Sequence, residues 1–276
     1  MKKHLSTILI VLILIIGLSL LLYPTVANWW NELHTSSVVS GYEAIMANMS
    51  DEDYTYLFDA ALDYNMRLRQ EEFPLMHYDR VEGYYDLLDV TGNGVMGYVS
   101  IPKIDIKLPI YHGTSEGVLQ VAVGHLQGTS LPTGGAGTHC ALSAHRGLPS
   151  ARLFTDLDKL EEGDIFTISV IDRLLTYQVD QILIVEPGKV EPLYAVEGED
   201  YCTLVTCTPY AVNTHRMLVR GTRIENEKEA KVVRITADAM QIEPVLVAPL
   251  LASPILLLLL IVIMLPKPKA NRRNEL

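Results

Sequence analysis

The stretch TLVTCTPYAVNTHRMLVRG (203–221) carries the residues best suited to chemistry. Cys207 ends an apolar, β-branched run. Thr206, Thr208 and Pro209 around it mark the end of a strand rather than the middle of a core. A nucleophilic thiolate needs a cation or base beside it and access for substrate. Arg216 opens the next β-type run. If the two runs pair as antiparallel neighbours, thiol and guanidinium sit side by side at one end of a sheet. A permanent positive charge there stabilises a thiolate or a developing oxyanion. The competing readings are an inert buried thiol, the common fate of free cysteine, and a surface arginine at a strand start.

A proton-transfer group is also required. The histidines outside the N-terminal flank are His34, His77, His112, His125, His139, His145 and His215. His145 ends the run HCALSAH and so lies at a strand mouth, as Cys207 does. His215 shares the loop of Cys207. Spacing alone leaves both open.

These groups have to be held by a sheet. GYVSIP, KIDIKLPIY, HCALSAH, DIFTISV, LLTYQVDQILIVEP, TLVTCT and RMLVRGTRI are short, β-branched and partly alternating, with Gly, Pro and Asp between them. Such runs predict an all-β barrel or sandwich. Short helices are expected at 115–123 and around 153–157. Upstream, Tyr42, Ile45, Met46 and Met49, and then Leu57, Ala60, Ala61, Tyr64 and Leu68, recur at helical spacing. The acidic stretch 50–53 between them reads as an N-cap with its first turn, so two helices or one broken helix are expected. Residues 71–92 read as a loop.

Both ends are apolar. Residues 5–23 are uncharged and cover about 28 Å as a helix, close to the hydrocarbon thickness of a bilayer. Lys2 and Lys3 precede them and Trp29-Trp30 follow, a basic cytoplasmic flank and an interfacial anchor. A cleaved signal peptide ending near 25–27 is the alternative, but this apolar core is longer than such peptides carry. Residues 245–265 form a second uncharged run, followed by Lys267, Lys269, Arg272 and Arg273. The expected topology is two spans, both termini cytoplasmic, and the segment between them outside.

The chain has a net charge of −11, and several of its cations belong to those flanks, so the outer segment is more acidic still. That excludes nucleic acid as a partner. Three cysteines do not make a disulfide scaffold, and the odd count leaves at least one free thiol. No metal-ligand spacing occurs, so neither a metal nor another cofactor is expected. Cys140 precedes His145, and Cys202 precedes Cys207, by the same odd offset. Each therefore faces away from its possible catalytic neighbour. On adjacent parallel strands these two thiols would meet inside the barrel. Two buried core thiols are the expectation.

SAHRGLPSARLFTDLDKL (143–160) and 203–221 resemble the two catalytic stretches of sortases, in particular the class C, pilin-polymerising group. GVMGYVSIPKIDIKLPIYHGTSEGVL and GHLQGTSLPTGG support the resemblance, which covers residues 93–224. It implies a mainly β fold: an eight-stranded barrel with N-terminal helices and a transmembrane helix at each end. It selects His145 over His215 as general acid and base, with Cys207 as nucleophile and Arg216 at the substrate carbonyl. Ser143 and Thr206, beside these groups, are expected to contact substrate. The implied reaction is transpeptidation: Cys207 cleaves an LPxTG-like signal between Thr and Gly, and a lysine amine of a pilin subunit resolves the thioester.

Two positions depart from the family pattern. Ala211 stands where glycine is usual. No Asp-Pro-aromatic lid motif occurs in 65–95, where Glu72, Phe73, Tyr78 and Asp79 are the nearest substitutes for a loop that covers the cleft. The expected organisation is a cytoplasmic stub and anchor at 1–30, a helical lead-in with lid loop at 31–92, and the catalytic barrel at 93–226. A linker at 227–244 and a second span with a basic tail at 245–276 follow. A sortase anchoring proteins to peptidoglycan, a hydrolytic cysteine protease and a non-catalytic membrane scaffold are the alternatives.

Overall fold

The computed structural model describes residues 2–226. The expected linker at 227–244, and the second span and tail at 245–276, lie outside the described residues.

Helix α1 (Lys2–Met46) runs through Pro24. From Leu9 it is long and apolar enough to cross a membrane. Leu9, Ile10, Ile13, Leu20 and Leu21 are exposed, so this stretch has not spent its apolar surface on packing. The helix does not stop near residue 23, because a second pattern takes over. Thr35, Val39, Tyr42 and Met46 are buried at helical spacing. The Tyr42 hydroxyl donates to the Met96 carbonyl at 3.1 Å and accepts from the Ile171 amide at 2.7 Å.

The chain breaks at 47–50 and restarts as α2 (Asp51–Gln70), so the two-helix reading holds. Ser50 accepts from the Asp53 amide and the Asp53 carboxylate accepts from the Ser50 amide, a reciprocal cap. Phe58, Ala61, Tyr64, Asn65 and Leu68 form the buried stripe of α2. Asn65 donates to the Leu131 carbonyl and the Thr133 hydroxyl and accepts from the Leu131 amide. These bonds fix where the following loop, 71–77, begins.

Eight strands form a closed barrel. They are β1 (Val95–Ile101), β2 (Ile106–His112), β3 (Val123–His125), β4 (Thr138–Ser143), β5 (Ile165–Val170), β6 (Arg173–Val185), β7 (Asp200–Thr208) and β8 (His215–Ile224). The order around the barrel is β1-β2-β3-β4-β7-β8-β6-β5. Pairs β2/β3 and β4/β7 are parallel, and the other pairs are antiparallel. The helix expected at 115–123 is a single turn, α3 (Glu116–Leu119), because the chain extends into β3 at Val123. No helix covers 153–157. Leu153 has φ 40, outside the right-handed helical region, and only a short 3₁₀ turn follows at Leu157–Lys159.

Side chains alternate between two sides of the barrel wall. Cys140, Leu142, Cys202, Leu204, Met217 and Val219 join the interior core with Phe166, Ile168 and Tyr177. Ala141, Val205 and Leu218 point outward into a smaller apolar cluster with Leu193, to which Leu75, Leu126, Leu183 and Val185 add.

Candidate active site

The ladder between β7 and β8 pairs Cys207 with Arg216, Val205 with Leu218 and Thr203 with Arg220. The parallel ladder between β4 and β7 runs from Thr138 opposite Asp200 to Ser143 opposite Val205. It continues with the Ala144 amide donating to the Val205 carbonyl at 3.1 Å. The same register, carried on by one residue more, brings His145 beside Cys207. Period-two alternation then places Ser143, His145, Val205, Cys207, Arg216 and Leu218 on the outer face. His145, Cys207 and Arg216 thus line up across three neighbouring strand ends. His215 pairs with Thr208, one step out of phase with that row, and its Nδ1 is engaged by the Thr214 hydroxyl at 2.9 Å.

The two cations of β8 differ in their partners. Arg220 holds Asp180 through two bonds of 2.7 and 3.1 Å and lies over the Tyr201 ring. Arg216 donates from Nη1 to the carbonyls of His215 at 3.1 Å and Asn213 at 3.3 Å. Among the described residues no carboxylate pairs with it, so its charge is available to an incoming acyl oxygen.

Cys207 is half-buried, while Cys140 and Cys202 are buried; all three are free thiols. Cys140 and Cys202 lie directly opposite one another on the parallel strands β4 and β7, facing inward as their offsets indicated. Burial pushes the Cys202 thiol well above its ordinary range, which keeps it protonated and unreactive.

The remaining expected site residues separate. Ser143 is half-buried on the outer face. Thr206 is buried on the inner side, and its hydroxyl donates to the Ala144 carbonyl at 2.9 Å. That bond braces the strand end below His145. Glu72, Phe73, Tyr78 and Asp79 are all exposed. The residue of this loop that reaches the outer apolar cluster is Leu75, which joins Val205 and Leu218 there. Pro74 lies so close to Gly128 that a Cβ on the glycine would stand 2.4 Å from the Pro74 carbonyl oxygen. An ion pair between Arg80 and Glu71, 2.9 Å, ties the ends of the loop.

Two contributors were not legible beforehand. Arg146, with its side chain 9% exposed, donates to the Thr155 carbonyl at 3.1 Å and reaches the Thr208 hydroxyl at 3.4 Å. It also pairs with Asp158 at 2.6 Å. It therefore ties the end of the His145 strand to the end of the Cys207 strand. Glu116 of α3 places Oε1 3.5 Å from His145 Nε2. Neither residue belongs to a local pattern, because both act across long sequence separations.

The loop from Thr208 to His215 begins with a cis Thr208–Pro209 bond. The amides of Val212 and Asn213 donate to the Pro209 carbonyl at 3.1 and 2.9 Å. Ala211 has φ 62, so the position where the family favours glycine does require the left-handed region. The Tyr210 ring covers Gly147, whose φ is 77 and where a Cβ would meet the ring at 2.7 Å.

The other core histidines are structural. His125 contacts the Tyr84 hydroxyl and the Ser130 carbonyl, each at 2.9 Å, and His112 contacts the carbonyls of Leu87 and Gly94. His139 is buried between the Tyr194 carbonyl, 3.1 Å from Nδ1, and the Thr203 hydroxyl, 2.7 Å from Nε2. The carbonyl can only accept, so Nδ1 carries the proton and Nε2 accepts from Thr203. Burial lowers its pKa to about 4. Among the described residues no group of side chains is arranged to hold a metal ion.

A half-buried thiol cross-strand from an arginine that no described carboxylate neutralises, with a histidine just past the end of the adjoining strand, has the makings of a cysteine-nucleophile site. The sortase domain model matches residues 99–224. The chain is 50% identical to the crystal structure of sortase C1 from Streptococcus agalactiae, with a TM-score of 0.65, covering 69% of this chain and 100% of that one. Sortase C of Streptococcus pneumoniae is 44% identical with a TM-score of 0.63, covering 69% and 97%. The chain belongs to the sortase family, and these structural relatives are class C members.

Matches to curated relatives are shorter. Sortase SrtE1 of Streptomyces coelicolor is 32% identical over 145 residues, 48% of this chain and 41% of the relative. Sortase A of Streptococcus agalactiae is 31% identical over 132 residues, 46% and 52% respectively. The chain spans about half the length of the curated relatives it matches.

Proposed function

We propose that the protein is a membrane-anchored cysteine transpeptidase that joins pilin subunits. The Cys207 thiolate attacks the carbonyl between Thr and Gly of an LPxTG-like signal. Arg216 stabilises the charge that develops on the carbonyl oxygen, and protonated His145 gives its proton to the departing amine. The resulting thioester is resolved by a lysine amine of the next subunit. The pairing of Cys207 with Arg216, with His145 two residues beyond the end of the β4 ladder on the other side of β7, is the observation that carries this reading.

The outer apolar cluster extends from the reactive row along β7 and β8. Its floor of Ala141, Val205 and Leu218 suits the apolar residues of an extended signal peptide. Leu75 sits on that floor, so the 71–80 loop acts as a lid through its leucine rather than through Phe73 or Tyr78. The apolar N-terminal helix serves as the membrane anchor with the barrel outside, and the uncharged run 245–265 with its basic flank, in the sequence, supports a return of the C-terminus to the cytoplasm. The pilin assignment draws on the class C relatives, one of which is described with pilin substrate specificity.

Incubation of the full-length protein with pilins carrying such a signal should give covalent ladders that vanish in Cys207→Ala. Release of free carboxylate alone would support a hydrolase. Transfer only to peptidoglycan-type amines would support wall anchoring, and no thiol-dependent product would leave a scaffold.

A further inference from the structure

The strand order places different partners on the two flanks of His145. Beyond β4, where His145 emerges, β7 lies on one side with Cys207, and β3 lies on the other. Helix α3, immediately before β3, brings the Glu116 carboxylate to 3.5 Å from His145 Nε2. The Gln120 side-chain amide donates to Oε1 of Glu116 at 3.0 Å and holds this rotamer. The carboxylates of the segment that follows His145 are committed elsewhere: Asp158 to Arg146, and Asp156 to Arg152 and Lys159. Among the described residues the one charged neighbour of Glu116 within ion-pair distance is His145, and the Glu116 side chain is 70% exposed.

The proton inventory of the proposed reaction gives this arrangement a use. While His145 is protonated, Glu116 has a cationic partner. Once His145 has given its proton to the departing amine, that partner charge is gone and Glu116 faces solvent unpaired. The acceptor arrives at this stage, and a lysine arrives as an ammonium ion.

We propose that Glu116 is the docking point for the incoming ammonium group, a specificity-determining residue for cationic amine acceptors. The inference rests on the transpeptidase reading and adds to it the site that selects the amine. The ammonium binds Glu116 in place of the lost imidazolium and passes one proton to His145. The amine nitrogen then attacks the thioester carbonyl. The C–N bond forms, the second surplus proton leaves to water, and the C–S bond breaks to return the Cys207 thiolate beside protonated His145. The water proton balances the one the departed amine takes up on release.

The test uses the full-length protein with one sorting-signal peptide and two acceptors at neutral pH: Nα-acetyl-lysine amide, which is cationic, and hydroxylamine, which is mostly uncharged. Glu116→Gln is expected to lower the ratio of kcat/KM for the lysine derivative over hydroxylamine by about threefold to fivefold, the effect of one exposed ion pair. Glu116→Asp should recover most of it. High salt should shrink the wild-type ratio and leave the Gln variant's ratio nearly flat. An unchanged ratio in Glu116→Gln overturns the inference even if overall turnover falls, because a carboxylate that merely orients His145 slows both acceptors alike. A wild-type protein that gives no acyl transfer to either acceptor overturns the transpeptidase reading, and this inference with it.

Discussion

Cys207 and Arg216 are direct cross-strand partners, and the arginine spends its hydrogen bonds on backbone carbonyls of its own loop rather than on a carboxylate. In the proposed reaction a guanidinium in that position acts on the transition state. Arg216→Ala is expected to lower kcat about 10²- to 10³-fold, the effect of removing one oxyanion donor. Arg216→Lys should fall between, keeping the charge without the planar fork. Thermal unfolding of both variants should stay near wild type, since no ion pair of the described fold is lost. Steady-state kinetics beside a melting curve checks the split.

Ala211 occupies the left-handed region at φ 62 in the loop that joins the two reactive strand ends. An alanine there is strained by about 1 kcal/mol relative to glycine. Ala211→Gly should therefore raise the unfolding free energy by about that amount, as read from urea denaturation. A loss of stability would mean that the loop is not held in this conformation.

His139 ties β4 to β7 and to the Tyr194 segment as a neutral imidazole with a pKa of about 4. In the unfolded chain its pKa returns to about 6.5. Between those values the unfolded state binds more protons than the folded state, so stability falls as pH drops from about 6.5 toward 4 and is level above that window. The loss at the acid end is on the order of 3 kcal/mol. Burial displaces His112 in the same direction. Urea titrations at pH 7 and pH 5 should show the difference, reduced in His139→Gln, which cannot take up the proton.

Leu75 packs with Val205 and Leu218 on the outer face, next to the reactive row. Deleting residues 71–80, or Leu75→Ala alone, should speed both hydrolysis of a sorting peptide and alkylation of Cys207. Phe73→Ala should do neither, because Phe73 is 53% exposed. Mass spectrometry should find one adduct per native chain and three after denaturation, since Cys140 and Cys202 are buried. Unchanged rates in the deletion variant would remove the lid from the account.

The barrel was legible because seven of its strands carry short apolar, mostly β-branched runs bounded by turn residues. The eighth, β3, has three residues, too few for any periodicity to register. The helix expected at 153–157 fails because Leu153 takes a positive φ that its composition does not announce. The choice between His145 and His215 depends on a parallel register linking β4 to β7 across some sixty residues, and local spacing cannot supply that. The resemblance to sortases supplied it. The facing of Cys140 and Cys202 did follow from their equal odd offsets. Glu116 and Arg146 belong to no local pattern because His145 and Thr208, which they reach, lie 29 and 62 residues away, and Leu75 carries no lid signature, being one leucine in an irregular loop.

The central claim is that Cys207 forms a thioester with the threonine carbonyl of a sorting signal. Mixing the full-length protein with a Leu-Pro-x-Thr-Gly peptide without an acceptor amine, quenching in acid and digesting should yield a Cys207 peptide heavier by the acyl fragment ending at threonine. That adduct should be absent from Cys207→Ala and should disappear on adding hydroxylamine. Cleavage of the peptide that persists in Cys207→Ala, or an adduct borne by another residue, would contradict the account.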